Sequence, residues 1–357
     1  MPASRQRCGA SGEVRCACSW DGTRVFHRRF EDLPAYVAAG DLVVFNTSAT
    51  MPAAVDGALP HGRPVVVHFA TALDDGTWVV EVRPAVRAQG PVTSVATGDR
   101  VRLAGGACAT LLTTYPDVSQ PASRLWRANI SAPDVLRLLS RYGRPITYGY
   151  VSKQWPLAYY QTVFATDPGS AEMPSAGRPF TAELVKSLIA RRVRMAPITL
   201  HAGVSSPDAG EPPAPERYRV SAGTADLVNL THRSGGRVIA TGTTVTRALE
   251  TVADTSGWVT SGHGWTHVVL GPKRPARAVD GLITGWHAPG ASHLLVLEAV
   301  AGPDLVRSAY EQGLQGGYLW HEFGDSSLLL ANRGRRAHPA TSSPMRTVRS
   351  GISRHIS

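Results

Sequence analysis

The stretch Gly236-Arg-Val-Ile-Ala-Thr-Gly-Thr-Thr-Val-Thr-Arg-Ala-Leu-Glu250 decides the fold class, because it passes from an apolar strand through a Gly/Thr turn into a helix. Such a junction points free backbone N–H groups and the positive end of the helix dipole beyond the carboxyl end of the strand. A carboxylate or a phosphate fits that place. The alternative is that Thr243 or Thr244 caps the helix and binds no ligand.

Strands alternate with helical stretches throughout the chain after Tyr160, which predicts an α/β domain with mainly parallel strands. Upstream, residues 42 to 45 read as a buried strand. A strand-like stretch at 23 to 30 and a short helix at 33 to 39, closed by Gly40, precede it. The later helices are predicted at residues 182 to 192, 244 to 253, 291 to 301 and 304 to 313.

Residues 55 to 149 have a different sequence pattern, in which short runs of alternating apolar and polar residues are separated by Gly- and Asp-containing turns. Examples are Pro64-Val-Val-Val-His-Phe and Arg100-Val-Arg-Leu-Ala. These features are typical of a small antiparallel β-barrel. We therefore expect a barrel at 55–149 inserted into a discontinuous α/β domain at 23–54 and 150–331. Residues 1–22 are expected to be poorly ordered, and 332–357 to form a disordered basic tail.

Charge and composition restrict the classes of protein to which the chain can belong. The formal net charge is +10, but residues 333 to 357 hold six arginines and no acid, so the rest of the chain carries +4. No stretch approaches the roughly 20 apolar residues of a membrane span, and the opening residues lack the apolar core of a secretory signal. We expect a cytoplasmic protein. Four cysteines are too few for a disulfide framework.

Two further strands end in a histidine, His201 after Met195-Ala-Pro-Ile-Thr-Leu and His287 after Asp280-Gly-Leu-Ile-Thr-Gly-Trp. Ligands of open α/β sheets gather at such strand ends, although a single histidine is more often structural. His201, His287, His321 and Glu322 lack the spacing of a helix-borne metal motif, so no metal is expected. Nucleophile-elbow, P-loop and complete dinucleotide-binding motifs are absent from the sequence.

Several motifs follow one another between residues 23 and 330: Gly40-Asp-Leu-Val-Val-Phe-Asn46, Tyr160-Gln-Thr-Val-Phe-Ala165, Pro174-Ser-Ala-Gly177, Ile198-Thr-Leu-His-Ala-Gly203, Thr241-Gly-Thr-Thr244 with Arg247, Val279-Asp-Gly-Leu-Ile-Thr284 with His287, and Gly324-Asp325. Their order resembles that of the S-adenosylmethionine:tRNA ribosyltransferase-isomerase family of queuosine synthesis. The fold of that family is an α/β domain interrupted by a β-barrel.

The resemblance implies that S-adenosylmethionine donates its ribosyl group to the amine of 7-aminomethyl-7-deazaguanine in tRNA, with loss of adenine and methionine and formation of epoxyqueuosine. A base must remove a C5′ proton, and donors must hold the methionine carboxylate. It also implies S-adenosylmethionine as co-substrate and tRNA as partner. We expect a monomer that holds no metal. Carried onto this chain, the catalytic residues are His201, His287 and Asp325, and the substrate-binding residues are Asn46, Tyr160, Gln161, Ser175, Gly177, Thr243, Thr244 and Arg247.

Several motif positions depart from the family. Its Asn-Asp-Thr-Arg segment ending in Pro-Ala-Arg reads here Asn46-Thr-Ser-Ala-Thr-Met-Pro52-Ala-Ala54, so one acid and two arginines are replaced. A histidine of the family is replaced within Ala176-Gly-Arg-Pro-Phe180. Two alternatives therefore stay open: a paralogue that applies the same sulfonium chemistry to another small-molecule or nucleoside acceptor, and a non-catalytic protein that binds S-adenosylmethionine or RNA.

Overall fold

The computed structural model describes residues 14–19, 25–85, 90–116, 124–147, 153–204, 213–288, 290–320 and 323–331. Its strands are β1 Arg15–Ser19, β2 Val25–Arg29, β3 Leu42–Asn46, β4 Ser48–Thr50, β5 Ala54–Ala58, β6 Pro64–Ala72, β7 Trp78–Pro84, β8 Arg100–Leu103, β9 Cys108–Tyr115, β10 Leu125–Ile130, β11 Gly143–Arg144, β12 Asp167–Ser170, β13 Arg194–His201, β14 Glu216–Val220, β15 Val238–Thr241, β16 Gly262–Thr266, β17 Gly281–Gly285 and β18 Ser326–Leu330. Its α-helices are α1 Val135–Tyr142, α2 Ala182–Ala190, α3 Ala222–Arg233, α4 Thr243–Thr251, α5 Ser292–Ala301 and α6 Pro303–Gln315.

The largest sheet has nine strands in the order β16-β14-β13-β3-β15-β17-β18-β1-β2. Its centre, β13-β3-β15-β17, is parallel, as the alternation of strands and helices predicts. Towards the edges the pairs β13–β14, β14–β16, β17–β18 and β1–β2 are antiparallel. The pair β18–β1 is again parallel. The sheet is therefore mixed, with four parallel and four antiparallel pairs, and the expectation of mainly parallel strands holds for its centre.

Helices cover both faces of the central strand β3, which explains why it reads as a continuous apolar run. Leu42 and Val44 join a core that includes residues of α3, α4, α5 and α6, whereas Val43 joins the core formed with α2 on the opposite face. All three are completely buried. Their position fixes β3 in the middle of the domain, and its carboxyl end meets those of its neighbours.

The N-terminal prediction is wrong for residues 15 to 19, which form β1 between β18 and β2 instead of a loose segment. Cys16 and Ala17 are buried there. The Arg15 guanidinium binds the buried Asp325 carboxylate at 2.9 Å, which anchors the start of the strand. Backbone pairing on both sides stabilises a run too short and polar to read as a strand. Residues 1–13, 20–22 and the tail at 332–357 lie outside the described residues.

Three helical elements differ from the predictions. The helix expected at 33 to 39 is a 3-10 helix at Phe30–Ala35, and Gly40 follows in a turn with φ of 88°. Two α-helices, α1 and α3, were not predicted. Their first turns are capped by Asp134 and Ser221, whose side chains accept from the backbone N–H three residues later. None of the helices in the described ranges is long and apolar enough to cross a membrane.

The second sheet is antiparallel and has the order β11-β5-β6-β7-β10-β9-β8, with an additional pairing of β5 with β8. A buried charged cluster lies on its central strands. Glu81 is fully buried, and its carboxylate binds Arg83 at 2.7 Å and Arg124 at 3.1 Å. His68, also buried, places Nδ1 3.8 Å from the same carboxylate. Burial and the neighbouring charges of Arg83 and Arg144 lower the pKa of His68 to about 3.

The lowered pKa of His68 predicts acid-sensitive folding. Because His68 titrates near 6.5 when unfolded and near 3 when folded, its contribution to stability is complete above pH 6.5 and is lost as the pH falls towards 3. From pH 6.5 to 5 the wild type should lose roughly 2 kcal/mol more than His68→Gln or His68→Phe, neither of which titrates. Urea unfolding across this pH range measures the difference, and parallel losses in all three proteins would contradict it.

Candidate active site

Four parallel strands bring their carboxyl ends to one edge of the large sheet, where ligands of such sheets bind. These ends are Asn46 of β3, His201 of β13, Thr241 of β15 and Gly285 of β17. The chain leaves β3 directly into β4, which pairs in parallel with β12 as a separate two-stranded sheet. This small sheet lies beside His201 and supplies the side chains that contact it.

His201 stands at the head of a short hydrogen-bonded chain. Its Nδ1 lies 2.7 Å from the Ser48 hydroxyl, which lies 2.7 Å from the Ser170 hydroxyl. Ser170 in turn accepts from the Ala202 N–H at 2.9 Å. Both serines are completely buried, whereas His201 is half-buried. The chain therefore holds the imidazole by Nδ1 and leaves Nε2 outside this set of contacts.

Gly169 makes this arrangement possible because it lies against the His201 ring. A Cβ added at Gly169 would stand 2.4 Å from Nδ1 and 2.5 Å from Cε1 of His201, closer than any real Cβ contact. Any larger residue would displace the ring. The glycine is thus required by packing against His201.

Burial and nearby charged groups change the pKa of His201. Burial is the main cause that lowers its pKa, and Arg217 and Arg219 lower it further, while Asp167 acts in the opposite direction. The imidazole is consequently neutral at neutral pH, as a general base must be. Asp167 accepts from Thr47 Oγ1 at 3.0 Å and from Thr199 Oγ1 at 3.3 Å. Arg219 lies 3.4 Å from the same carboxylate.

The predicted anion site at the start of α4 has no side-chain cap from any residue that the structure describes. Gly242 is the N-cap, with φ of 101°, a conformation that favours glycine. The alternative that Thr243 or Thr244 caps the helix is therefore wrong. The N–H groups of the first turn and the dipole remain directed past the strand ends.

The turn at Ser175–Gly177 lies next to this helix start. The Ala176 methyl group would be 3.3 Å from a Cβ at Gly242, so the two segments are in close contact. Ser175 is half-buried and Gly177 is packed against Thr162. The structure thus brings Ser175, Gly177, Thr243 and Thr244 together at one place on the edge.

Arg247, predicted to bind the donor, uses its guanidinium inside the protein. Nη1 binds the Glu216 carboxylate, and Nε donates to the Val268 carbonyl oxygen at 3.2 Å. Nη2 donates to the carbonyl oxygens of Ala214 and Thr266. Only 5% of the residue is exposed, so its guanidinium is held by the protein itself.

His287 is half-buried at the end of β17, and its ring stacks in parallel on His293 with centroids 4.6 Å apart. Its Nε2 lies 3.0 Å from Thr284 Oγ1, and its backbone N–H donates to the Tyr310 hydroxyl. Burial and the charge of Arg247 lower the pKa of His293. Two stacked histidines thus lie beside α4, at a place that sequence reasoning identified through His287 alone.

The remaining predicted residues act mainly on the backbone. Asp325 accepts from the Arg15 and Leu319 N–H groups as well as from the Arg15 guanidinium. The Asn46 side-chain oxygen accepts from the Leu200 N–H, and its side-chain nitrogen donates to the Leu200 carbonyl oxygen. The Gln161 amide pairs in the same manner with Thr50, and the Tyr160 ring is buried against Phe323. These side chains position the edge of the sheet.

Sequence patterns did not identify four residues around His201, which are Ser48, Ser170, Asp167 and Gly169. They belong to β4 and β12, whose strands are three and four residues long. Serine, aspartate and glycine in such short runs are typical of turns, so the pattern gave no signal of a strand. Within the described ranges, no group of three His, Cys, Asp or Glu residues could hold a metal ion.

Comparison with known proteins identifies relatives of this chain. The model of the family described as queuosine biosynthesis protein matches residues 15–329. The S-adenosylmethionine:tRNA ribosyltransferase-isomerase of Symbiobacterium thermophilum is 34% identical over 85% of this chain and 89% of its own length. That of Cupriavidus pinatubonensis is 35% identical over 87% of both chains. The crystal structure of S-adenosylmethionine tRNA ribosyltransferase from Thermotoga maritima, 24% identical, covers 89% of this chain and 92% of its own, with a TM-score of 0.47.

The family model spans most of the chain, and it begins at β1 and ends within β18, two neighbouring strands of the large sheet. The two relatives are more than 30% identical over at least 85% of this chain. The residues described above as the edge of that sheet lie within the matched range. This chain belongs to the queuosine biosynthesis protein family.

Proposed function

We propose that the protein transfers and isomerises the ribosyl group of S-adenosylmethionine onto the 7-aminomethyl-7-deazaguanine base of tRNA, releasing adenine and methionine. The observation that carries the proposal is the neutral His201, held through Nδ1 by Ser48 and Ser170 beside the uncapped start of α4. The names of the relatives support the same reaction.

His201 is the proposed base that removes the C5′ proton of the donor, which the adjacent sulfonium acidifies. If Nδ1–H donates to Ser48 and Ser48 donates to Ser170, the Nε2 lone pair is the one that faces the substrate. The first-turn N–H groups of α4 suit the methionine carboxylate. Thr243, Thr244, Ser175 and Gly177 stay our proposed substrate contacts. For Asn46, Tyr160, Gln161, Arg247, His287 and Asp325 we propose positioning roles.

The altered motif at residues 46–54 has charged neighbours from other strands. Thr47 replaces the acid of the family motif, yet the Asp167 carboxylate lies 3.0 Å from its hydroxyl. Ala54 replaces an arginine, and Arg144 is its direct partner across the β5–β11 pair. Opposite residues in a β pair have neighbouring side chains. These replacements favour an enzyme over a non-catalytic relative.

For the domain organisation, we propose an α/β domain at 23–54 and 150–331, joined by β1, and an inserted barrel at 55–149. The pairing of β5 with both β6 and β8 supports the barrel, because it connects the two sides of the antiparallel sheet. A cytoplasmic location and a monomeric state stay predictions.

The reaction is tested by measuring adenine release from S-adenosylmethionine with and without tRNA that carries the aminomethyl base. Release that depends on this tRNA, and that His201→Ala abolishes in a folded protein, is the expected result. Release with other acceptors but not with this tRNA would favour a paralogue. Donor binding without adenine release under any condition would refute the proposal.

Gly169→Ala should inactivate the enzyme without unfolding it. The new methyl group would force the His201 ring away from Ser48, and a displacement of this size can cost about a hundredfold in rate. Gly223→Ala on α3 is the matched control, because no atom lies within 4 Å of its added Cβ. Measuring adenine release and thermal unfolding of both variants distinguishes a loss of activity from a loss of folding. Equal rates in the two variants would remove His201 from the mechanism.

The pH dependence of kcat/KM should report the charges around His201. Because its pKa lies below the ordinary 6.5, the neutral base persists to lower pH, and the acid limb should lie below 6.5. Arg219→Gln removes a charge that lowers this pKa and should move the limb to higher pH, whereas Asp167→Asn should move it lower. Arg307→Gln, an exposed arginine on α6, controls for net charge. Shifts of the opposite sign would contradict the assignment.

A further inference from the structure

A cleft of about 530 Å³ lies outside the His201 region, between the end of α1 and the segment before Tyr160. Its lining combines Gly143 with five apolar residues, Pro52, Pro145, Trp155, Pro156 and Leu157, and three polar ones, Ser140, Arg144 and Gln154. The proline rings and the indole are rigid apolar groups, which suit a planar ligand group. Of the residues that line the cleft, Pro52 alone belongs to a motif segment, and the proposed reaction uses none of them.

Gly143 shapes the base of the cleft. A Cβ at this position would stand 2.0 Å from the Pro52 carbonyl oxygen and 2.6 Å from that of Leu139, so only glycine allows the two chain segments to approach. Pro52 also connects the cleft to the proposed active site. Ser48, which touches His201, is four residues earlier, a separation of at most ~14 Å along the chain.

Trp155 is the aromatic wall of the cleft. One side of the residue packs on the cluster of Tyr160, Met173 and Phe323, which fixes the indole. The Lys153 ammonium lies 4.6 Å from the centre of the Trp155 ring, and Lys153 does not line the cleft. The Tyr159 ring, 40% exposed, lies 5.2 Å from that of Trp155. Because Lys153 is exposed and its side chain is flexible, its ammonium can move from the indole to a phosphate, which opens that face of the ring to a base.

Basic side chains lie close in sequence to the residues that line the cleft. Arg137 and Arg141 are exposed on α1, four residues apart and hence on one face of that helix. Arg141 lies over the exposed Tyr142 ring at 5.3 Å. Arg144 at the rim binds the exposed Asp56 at 2.7 Å, and Asp134 caps α1. Lys153, Arg137 and Arg141 therefore outnumber the acids here and complement a phosphate backbone.

From these contacts we infer that the cleft binds an unpaired base of the tRNA substrate, adjacent in the strand to the modified base, by stacking it on Trp155. Lys153 and Arg141 contact the neighbouring phosphates. The inference rests on the proposed function and adds to it the surface that holds the acceptor strand. Stacking on an aromatic ring tolerates any base, so this surface sets the position of the strand and does not read its sequence.

The test is a binding measurement at one fixed salt concentration with an RNA stem-loop that carries the aminomethyl base. Trp155→Ala in the full chain should weaken binding about ten- to a hundredfold, and Trp155→Phe only a few-fold, because base–aromatic stacking is lost in the first variant alone. Lys153→Ala should reduce the slope of log K against log salt by about one. Binding of S-adenosylmethionine should not change in any variant.

The matched control is Trp258→Ala. Trp258 is 46% exposed and carries Arg233 over its ring at 5.4 Å, like the Trp155–Lys153 pair, but it lies beside α3. A stem-loop with abasic nucleotides on both sides of the modified base completes a double-mutant cycle with Trp155→Ala. Trp155→Ala should not weaken binding of this abasic stem-loop any further, because the base that would stack on Trp155 is already missing.

Two results would overturn the inference: Trp155→Ala affecting RNA binding no more than Trp258→Ala, or an equal loss with the intact and the abasic stem-loop. If Trp155→Ala fails to fold, Trp155→Phe and Lys153→Ala with the abasic stem-loop decide the matter. Failure of the proposed function is a separate observation. In that case the wild type releases no adenine with the modified tRNA, whereas failure of this inference alone leaves adenine release by the wild type intact.

Discussion

The amide of Asn46 is the contact on which the arrangement at the sheet edge depends. At the last residue of β3, its oxygen accepts from the backbone N–H groups of Ser48 and Leu200, and its nitrogen donates to the Leu200 carbonyl oxygen. The amide therefore continues the pairing of β3 with β13 by one more step after the chain of β3 has turned away. Because it is 3% exposed, each of these bonds forms in a region of low dielectric and would be costly to lose.

The hydrogen bonds of the Asn46 amide determine the position of Ser48. Asn46 fixes the backbone on both sides of the turn, and the parallel pairing of β4 with β12 then brings Ser170 against Ser48. His201 ends the strand to which Asn46 is bound, so the histidine and the serine share one rigid frame. The neutral imidazole thus owes its orientation to backbone geometry, and its pKa to burial and to the opposing charges of the two arginines and Asp167.

Sequence patterns predicted the central parallel strands and their ends, because buried parallel strands and their following turns have a clear apolar signature. They could not distinguish a side chain that binds a ligand from one that binds the backbone. Asn46, Arg247 and Asp325 stand in motifs at strand ends, and a polar group there can satisfy either a substrate or an unpaired N–H or C=O group. All three contact the protein itself. The serines around His201 were missed for the opposite reason, since Ser48 and Ser170 are distant in sequence and meet only in the folded chain.

The altered motif at residues 46–54 illustrates the same limit for charge. Read along the chain, the loss of an acid and two arginines indicates a different partner. In the structure, however, the electrostatic field at a site depends on where charges lie and not on which strand carries them. Asp167 beside Thr47 and Arg144 opposite Ala54 come from strands that pair with this segment. Arg144 also lines the cleft below Trp155, next to Pro52 of the altered motif. The charged residues of the motif are thus replaced in the sequence, while charged side chains from paired strands lie beside the same segment. A binding surface for an anionic substrate would require charges to be kept in this way.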